Sequence, residues 1–332
     1  MRRLLVLVCA ALLCGLFAAA RPHRLVTVCP GFLPENDMKI PVGIKSVGGI
    51  SQAQYNEVMD RLEAIYKPIV KAKGGVLVVN RMWEDATVNS SAQRQGNKYV
   101  LNMYGGLARH PAITQDGETL VACHEMAHHL GGAPKMSGWF GAWATIEGQS
   151  DYAANLKCMR LMFSDSGSAK FTRLAAADPV AQKACKQVYK DSKKAALCLR
   201  VATAGLSVTS LFKIMHNETQ DAAFDTPDPA VVAETSEDHP ATQCRLDTYL
   251  QSALCSKPVS EALDDEDPSP GACTAAQGYR VGLRPLCWYK PTPAEGGGQL
   301  FSRASVAPKL GEAVSRSPAL SSLQGSSVWQ GL

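Results

Sequence analysis

Neither sign of charge is in large excess along this chain, and long basic runs are missing. Its 332 residues carry 34 Lys and Arg against 30 Asp and Glu, a formal net charge of +4. Contacts to nucleic-acid phosphates require a clustered basic surface, so this balance gives no electrostatic argument for a nucleic-acid partner. Hydrophobic residues make up 46% of the chain, which excludes wholesale disorder and allows one large core.

Apolar runs long enough to cross a membrane are missing beyond the N-terminus. Arg200 interrupts the most apolar later stretch, so we expect no membrane span in the mature protein. The N-terminal apolar run follows Arg2 and Arg3 and ends at three alanines, 18–20, the pattern of a cleaved signal peptide. A membrane anchor is the alternative, but the run is short for a spanning helix. We predict that residues 1–20 are removed and that the protein is exported, to the periplasm or out of the cell.

CxxC pairs are absent as well, which argues against a zinc ribbon held by cysteines. Two of the eleven cysteines lie in the predicted signal peptide, and the other nine should mostly pair in an oxidising compartment. An odd number leaves at least one free thiol, and we expect it at Cys123, buried against the core. Proximity along the chain suggests three disulfides, although other connectivities are open: Cys185–Cys198, Cys244–Cys255 and Cys273–Cys287.

Periodicity and turn residues predict an α+β fold that is mostly helical, with a small mixed sheet. Apolar residues at helical spacing predict a helix over residues 51–73, ended by two glycines. Strands are expected at 76–80 and 98–103, with an extended segment at 85–92 and a polar turn at 93–97. Further helices are expected at 116–131, 142–163, 178–189, 193–203, 206–215 and 241–254.

The expected organisation is one domain between two irregular ends. A Pro- and Gly-rich segment, 21–50, follows the signal peptide and leads into a domain at 51–289, whose C-terminal part is helical and rich in cysteine. Residues 290–332 are mostly Gly, Ser, Ala and Pro with little apolar content, so we expect a disordered tail.

The strongest motif is HExxH at residues 124–128, in the helix predicted at 116–131. The spacing of His124 and His128 puts both imidazoles on one face of a helix, where they can hold one metal ion. Glu125 can then serve as general base toward a water molecule at that ion. The alternative is an amphipathic surface helix with two solvated histidines, because five-residue patterns also occur by chance.

A second acidic pair follows on the helix predicted at 142–163, after a glycine-rich reversal of the chain. Catalytic zinc needs three protein ligands and an open position, and Glu147 can supply the third ligand. Asp151, one turn later, can accept the free N–H of a ligating histidine. An ordinary solvated acidic pair is the alternative. Together the two motifs predict one zinc ion per chain, held by His124, His128 and Glu147.

The order of these motifs resembles a known enzyme family. HExxH followed by ExxxD is similar to the gluzincin zinc metallopeptidases, and the flanks resemble the HtpX-like and CAAX-prenyl-endopeptidase group. Members of that group carry an Asn-Ala extended segment, a strand, Gly-Leu and then the HExxH helix, as this chain does from residue 88 onward. The resemblance implies a zincin-like fold with an edge strand packed on the HExxH helix. An extended substrate would bind as an added strand along Val88, Asn89, Ser90, Ser91 and Ala92.

A later loop extends the resemblance to residue 239. Thr235 to Pro240, with Arg245 following, is similar to a loop in the same group. By resemblance, His239 approaches the zinc from its open side, where it either gates the fourth position or stabilises the oxyanion. A loop histidine that helps to cap the next helix is the alternative. The chain departs from the group at Cys123, where glycine is usual, at Ser90-Ser91, where Ala-Phe is usual, and in the absence of a mature membrane span.

We therefore expect an exported zinc endopeptidase that cleaves extended or unfolded polypeptides, with Glu125 as the catalytic base and His239 assisting it. The alternative function is a binding or assembly factor of the cell envelope with a gated or silenced zinc site. A disulfide-rich structural protein without a metal is a third possibility, and metal content would exclude it.

Overall fold

A computed structural model of the protein describes residues 27–29, 31–43, 48–138, 143–164 and 178–296. The predicted signal peptide and the predicted tail after residue 296 lie outside these ranges. The start of that tail lies inside them: Pro293–Glu295 forms a 3₁₀ turn, and Glu295 is buried against Arg284.

The fold is α+β, with a small mixed sheet surrounded by helices, as predicted. Within the described residues, four strands lie in the order β1-β3-β4-β2. They are β1 (Thr27–Val28), β2 (Val76–Met82), β3 (Ser90–Gln95) and β4 (Lys98–Tyr104), and only β2 and β4 run parallel. The extended segment predicted at 85–92 becomes a strand only at Ser90 and continues through the predicted turn, until Gly96 reverses the chain at a φ of +62°.

Helix α1 (Gln52–Ala72) matches the helix predicted at 51–73. It begins at a capping box, in which the side chains of Ser51 and Gln54 each accept a hydrogen bond from the other residue's backbone N–H. Its apolar face, with Tyr55, Met59 and Leu62 fully buried, packs against β2 and the HExxH helix.

The HExxH helix is the buried centre of the molecule. A short helix α2 (Gly105–Ala108) leads into α3 (Gln115–Leu130), and every residue of α3 from Gly117 to His129 is buried. It lies between the sheet, α1 and the later helices. Because α3 is surrounded on all sides, its histidines cannot be solvated, which excludes an amphipathic surface helix.

The second motif helix starts later than expected. Thr145 forms an antiparallel bridge with Lys135, so the helix begins at Glu147 rather than at 142. Helix α4 (Glu147–Ala153) continues through a π-helical turn (Ala154–Met159) into α5 (Arg160–Phe163).

Three helices complete the described part: α6 (Pro179–Val188), α7 (Ser192–His216) and α8 (Thr242–Leu254). The prediction of two helices at 193–203 and 206–215 is wrong, because α7 runs through Gly205 without a break. A Cβ at Gly205 would lie 2.6 Å from Cδ2 of Tyr249. The glycine therefore permits close packing of α7 on α8 instead of ending the helix.

Helix α7 is more apolar than expected, since no apolar run long enough to cross a membrane was predicted beyond the N-terminus. Its length and composition alone would let it cross a membrane, but 67% of its most apolar stretch is buried inside the protein. Arg200, expected to interrupt the apolar run, lies 2.8 Å from Asp116 of α3 in an ion pair.

Four disulfides lie within the described residues, and they fit an oxidising compartment outside the cytosol. Of the predicted pairs Cys185–Cys198 is confirmed, whereas Cys244–Cys255 and Cys273–Cys287 are wrong. The chain pairs Cys244 with Cys287 and Cys255 with Cys273, because the segment after α8 folds back over that helix. The prediction of a free Cys123 is also wrong. It joins Cys158 of the π-helical turn, and Cys29 is the free cysteine in the part of the chain that the structure describes.

Candidate metal centre

Three side chains from α3 and α4 converge in the interior. Nε2 of His124 lies 3.2 Å from Oε2 of Glu147, and Nε2 of His128 lies 3.6 Å from Oε1. One donor atom from each residue lies within 4.8 Å of the other two, and all three residues are buried. The trio predicted from the sequence is therefore brought together, and it could hold a metal ion.

The unpaired atoms of the trio test whether a cation fits there. Nε2 of both histidines and both carboxylate oxygens of Glu147 are buried, and they have no hydrogen-bond partner among the described residues. Leaving several polar atoms buried and unpaired is costly, and a bound cation would satisfy all of them together. Two imidazoles and one carboxylate are also a known ligand set of catalytic zinc. The donor set therefore fits a zinc ion.

Hydrogen bonds fix the orientation of both imidazoles. Nδ1 of His124 donates to Oδ1 of Asp151 at 2.8 Å, which is the partner predicted from the sequence. Nδ1 of His128 donates to the backbone carbonyl of Thr145 at 2.8 Å and lies 3.1 Å from the Ser150 hydroxyl. With Nδ1 as the donor in each ring, Nε2 of each ring points into the trio, where its lone pair is the one left to bind a metal ion.

Asp151 is itself held by two residues of α8. Arg245 donates to Oδ1 from Nη2, and the Tyr249 hydroxyl donates to the same oxygen, each at 2.8 Å. Burial alone would raise the pKa of Asp151, but Arg245 and His124 keep it well below its usual range. In the sequence, Arg245 is marked only by the family resemblance, and no motif singles out Tyr249 or Thr145. Their four-residue spacing places Arg245 and Tyr249 on one face of α8, a signal that could have suggested a shared partner.

Glu125 lies next to the trio with one oxygen engaged and one unpaired. The Ser90 hydroxyl donates to Oε1 at 2.6 Å, while Oε2 is buried and has no partner within the described ranges. Burial raises the pKa of Glu125 to about 7, against the opposing effects of His124 and Ser90. A carboxyl with such a pKa can both accept and release a proton near neutral pH.

His239 also reaches the site. Its Nε2 lies 3.5 Å from Oε2 of Glu147 and donates to the backbone carbonyl of Gly31 at 2.9 Å. Burial lowers the pKa of His239, so the neutral imidazole is favoured. The predicted proximity to the metal centre is observed, whereas the contact to Gly31 was not expected.

The predicted substrate edge is not a free edge in this structure. Val88 and Asn89 precede β3, Val88 is fully buried, and the Asn89 side chain bonds to the backbone of Leu33. From Ser90 on, the outer side of β3 is paired with the segment that contains β1. No motif among residues 21–50 indicates that an N-terminal segment would lie there.

Comparison with family models, with curated proteins and with solved structures finds no match to this chain. What the site can do therefore follows from its own geometry.

The three residues of the trio differ in their ionisation. Burial acts to raise the pKa of Glu147, but His128 and His124 lower it to about 2, so its carboxylate stays ionised. Burial lowers the pKa of His128 to about 4, which keeps that imidazole neutral. Burial also acts to lower the pKa of His124, but the adjacent Asp151 carboxylate outweighs this effect and raises it to about 9. A metal ion must displace that proton, so we expect metal affinity to increase with pH.

Proposed function

We propose that the protein is a zinc-dependent endopeptidase of the gluzincin type, with a zincin-like arrangement of α3, α4 and the sheet. Its substrates would be extended or unfolded polypeptides in the cell envelope or outside the cell. The observation that carries this proposal is the unpaired Oε2 of Glu125 beside the converging donors of His124, His128 and Glu147. Those side chains supply three zinc ligands and a base beside them, a combination suited to metal-assisted peptide hydrolysis.

His124, His128 and Glu147 would hold one zinc ion per chain. When bound, zinc acts as a Lewis acid, which would polarise the peptide carbonyl and lower the pKa of the attacking water. Asp151 keeps His124 in the tautomer that ligates, and the Thr145 carbonyl does the same for His128.

Glu125 would move the proton in both halves of the reaction. Ser90 holds Oε1 at 2.6 Å, which fixes the plane of the carboxylate and leaves Oε2 to accept a proton from the attacking water. The same carboxyl can then donate that proton to the leaving amine, because with a pKa of about 7 neither its protonated nor its ionised form is strongly favoured at neutral pH.

His239 would assist from the loop that precedes α8. A neutral imidazole that carries its proton on Nε2 can donate a hydrogen bond to the oxyanion of the tetrahedral intermediate. The bond from Nε2 to the Gly31 carbonyl shows that this atom already serves as a donor at a main-chain oxygen.

The second candidate function is an envelope binding or assembly factor with a gated zinc site. The observation that favours it is the occupied outer side of β3, where a substrate strand would otherwise pair. Export itself is part of both proposals, and the four disulfides support it because they fit an oxidising compartment.

Cleavage of unfolded casein by the mature protein tests the proposal. We expect cleavage that a chelator abolishes and added zinc restores. Glu125→Gln is the matched control, because it keeps the shape of the side chain and does not touch the metal. It should retain zinc and lose about 10²–10⁴ in turnover. Equal cleavage by a zinc-loaded Glu125→Gln variant would contradict the peptidase, and stoichiometric zinc without any cleavage would favour the binding factor.

A further inference from the structure

Residues 27–29 and 31–33, here called the strap, lie along the outer side of β3. Thr27 and Val28 pair antiparallel with Arg94 and Gln93. The Cys29 N–H then donates to the Ala92 carbonyl, and the Phe32 N–H donates to the Ser90 carbonyl, each at 3.0 Å. These are the backbone bonds that an extended substrate would make by adding a strand to the sheet. The strap therefore occupies the position that the proposed function assigns to a substrate.

Side chains of the metal centre hold the middle of the strap. The Phe32 ring stacks edge-on against the His124 ring, with centroids 5.0 Å apart. His239 donates to the Gly31 carbonyl, and Arg245 lies with its guanidinium 4.7 Å from the centroid of Phe32. Next to this contact, the Asn89 side chain accepts from the Leu33 N–H and donates to the Leu33 carbonyl. The strap is thus bound by the residues that would otherwise face a substrate.

Cys29 faces the HExxH helix from the strap. It pairs with Ala92, and residues opposite one another on antiparallel strands point to the same face of the sheet. Ser90, two residues before Ala92, shares that face and contacts Glu125. Cys29 is 6% exposed and unpaired with any other cysteine in the described ranges. Burial raises the pKa of its thiol, and the charges of Glu147 and Glu125 raise it further, which agrees with a position near both carboxylates.

We propose that the strap is an inhibitory segment and that Cys29 closes the metal centre as a thiolate ligand; this inference rests on the proposed zinc site. The second observation behind it is the set of buried, unpaired atoms on His124, His128 and Glu147. Three protein ligands leave a fourth position, and a thiolate is a preferred ligand of zinc. The thiol loses its proton to solvent and its sulfur lone pair binds the ion, with no change in oxidation state.

Binding of the metal ion by Cys29 requires a small movement of its side chain or of the strap. Cys29 is not one of the donors that lie within 4.8 Å of one another, so its side chain or the strap must shift inward when the ion binds. Substrate entry requires the opposite movement, because the same strand edge cannot pair with two segments. The proposed peptidase would therefore be latent until the strap is displaced or cut.

Cobalt substitution tests the thiolate without any activity measurement. We expect the cobalt-loaded mature protein to show visible ligand-field bands and a near-ultraviolet sulfur-to-cobalt charge-transfer band. Cys29→Ala should keep the visible bands and lose the near-ultraviolet band. Visible bands without the charge-transfer band in the unaltered protein would overturn closure by Cys29. Absence of all cobalt bands would instead contradict the metal centre and with it the proposed function.

A second pair of variants tests inhibition by the strap. A Cβ at Gly31 would lie 2.6 Å from Nδ2 of Asn89, so Gly31→Ala should loosen the strap without touching a ligand. If the open fraction rises from about 1% to about 10%, casein cleavage rises roughly tenfold. Cys29→Ala should have an effect in the same direction, while Val42→Ala, at an exposed position beyond the strap, should have none.

Zinc content and the thermal melting curve of each variant show whether it is loaded and folded. Because the strap also buries Phe32 and Leu33, Gly31→Ala could unfold the protein, and the result for Cys29→Ala then decides. Unchanged cleavage by a folded, zinc-loaded Cys29→Ala protein and, where it folds, by the Gly31→Ala protein would overturn the inhibitory role.

Discussion

Oδ1 of Asp151 lies 2.8 Å from Nδ1 of His124, and both side chains are fully buried. The same carboxylate oxygen accepts hydrogen bonds from Arg245 and Tyr249, so one anion orients a ligand and neutralises a buried cation. Replacing Asp151 therefore tests both roles.

Asp151→Asn should weaken zinc binding by about 10–100-fold while leaving the ion bound at saturation, because the residue orients a ligand without being one. Asp151→Asn and Asp151→Ala should both lower the free energy of unfolding by about 3–5 kcal/mol, because each leaves the Arg245 guanidinium buried without a counter-charge. Zinc titration measures the first effect and urea unfolding the second. Unchanged zinc affinity in Asp151→Ala, which has no acceptor for His124, would show that the hydrogen bond to His124 has no influence on the metal.

Glu118 provides a pH-dependent prediction away from the metal centre. Both of its carboxylate oxygens are buried and unpaired within the described part, and burial raises its pKa from 4.5 to about 8. The unfolded chain ionises this group first, so its contribution to stability is fully present below pH 4.5 and is lost as pH rises to about 8. In this window the free energy of unfolding should fall by about 1.4 kcal/mol per pH unit relative to Glu118→Gln. Parallel pH profiles for the two proteins would contradict a buried neutral Glu118.

Disulfide mapping by mass spectrometry of the unreduced mature protein should find a free thiol at Cys29 and a bridge between Cys123 and Cys158. Replacing Cys123 and Cys158 together by alanine should lower the free energy of unfolding by about 2–4 kcal/mol, because the bridge closes a loop of 35 residues. A free thiol at Cys123 would contradict the packing of the π-helical turn on α3.

His239→Ala should be measured where the strap is already loosened, in a Gly31→Ala background. In that background we expect zinc to stay and turnover to fall by about 10²–10³, the cost of losing an oxyanion donor. In the otherwise unaltered chain, His239→Ala also removes the hydrogen bond that holds the Gly31 carbonyl of the strap. Loosening the strap raises turnover, which offsets the loss of the oxyanion donor. Equal turnover with and without His239 in the loosened background would leave it only as a contact of the strap.

The metal trio could be predicted from the sequence because its geometry is local. His124 and His128 share a helix face through their spacing, and a chain reversal of limited length brings Glu147 back to them. Asp151 follows from the same spacing rule. The α+β composition and the bounds of α1 were also predictable from periodicity and from the glycines that end the helix.

Features that depend on contacts distant in sequence could not be predicted. Gly205 lies in the break predicted between the helices at 193–203 and 206–215, and only the Tyr249 ring packed against it explains why one helix continues through it. Cys244 and Cys287 pair over 43 residues because the segment after α8 returns to that helix, which sequence proximity cannot show. The strap pairs with β3 across more than 60 residues, and no motif marks it.

Zinc content of the purified mature protein, measured by elemental analysis, is the most direct test of the metal centre. We expect about one zinc per chain, and loss of that zinc in His124→Ala, in His128→Ala and in Glu147→Ala, while Glu125→Gln keeps it. Stoichiometric zinc in all three ligand variants, or a folded wild-type protein that takes up no zinc at all, would contradict a metal centre built from His124, His128 and Glu147.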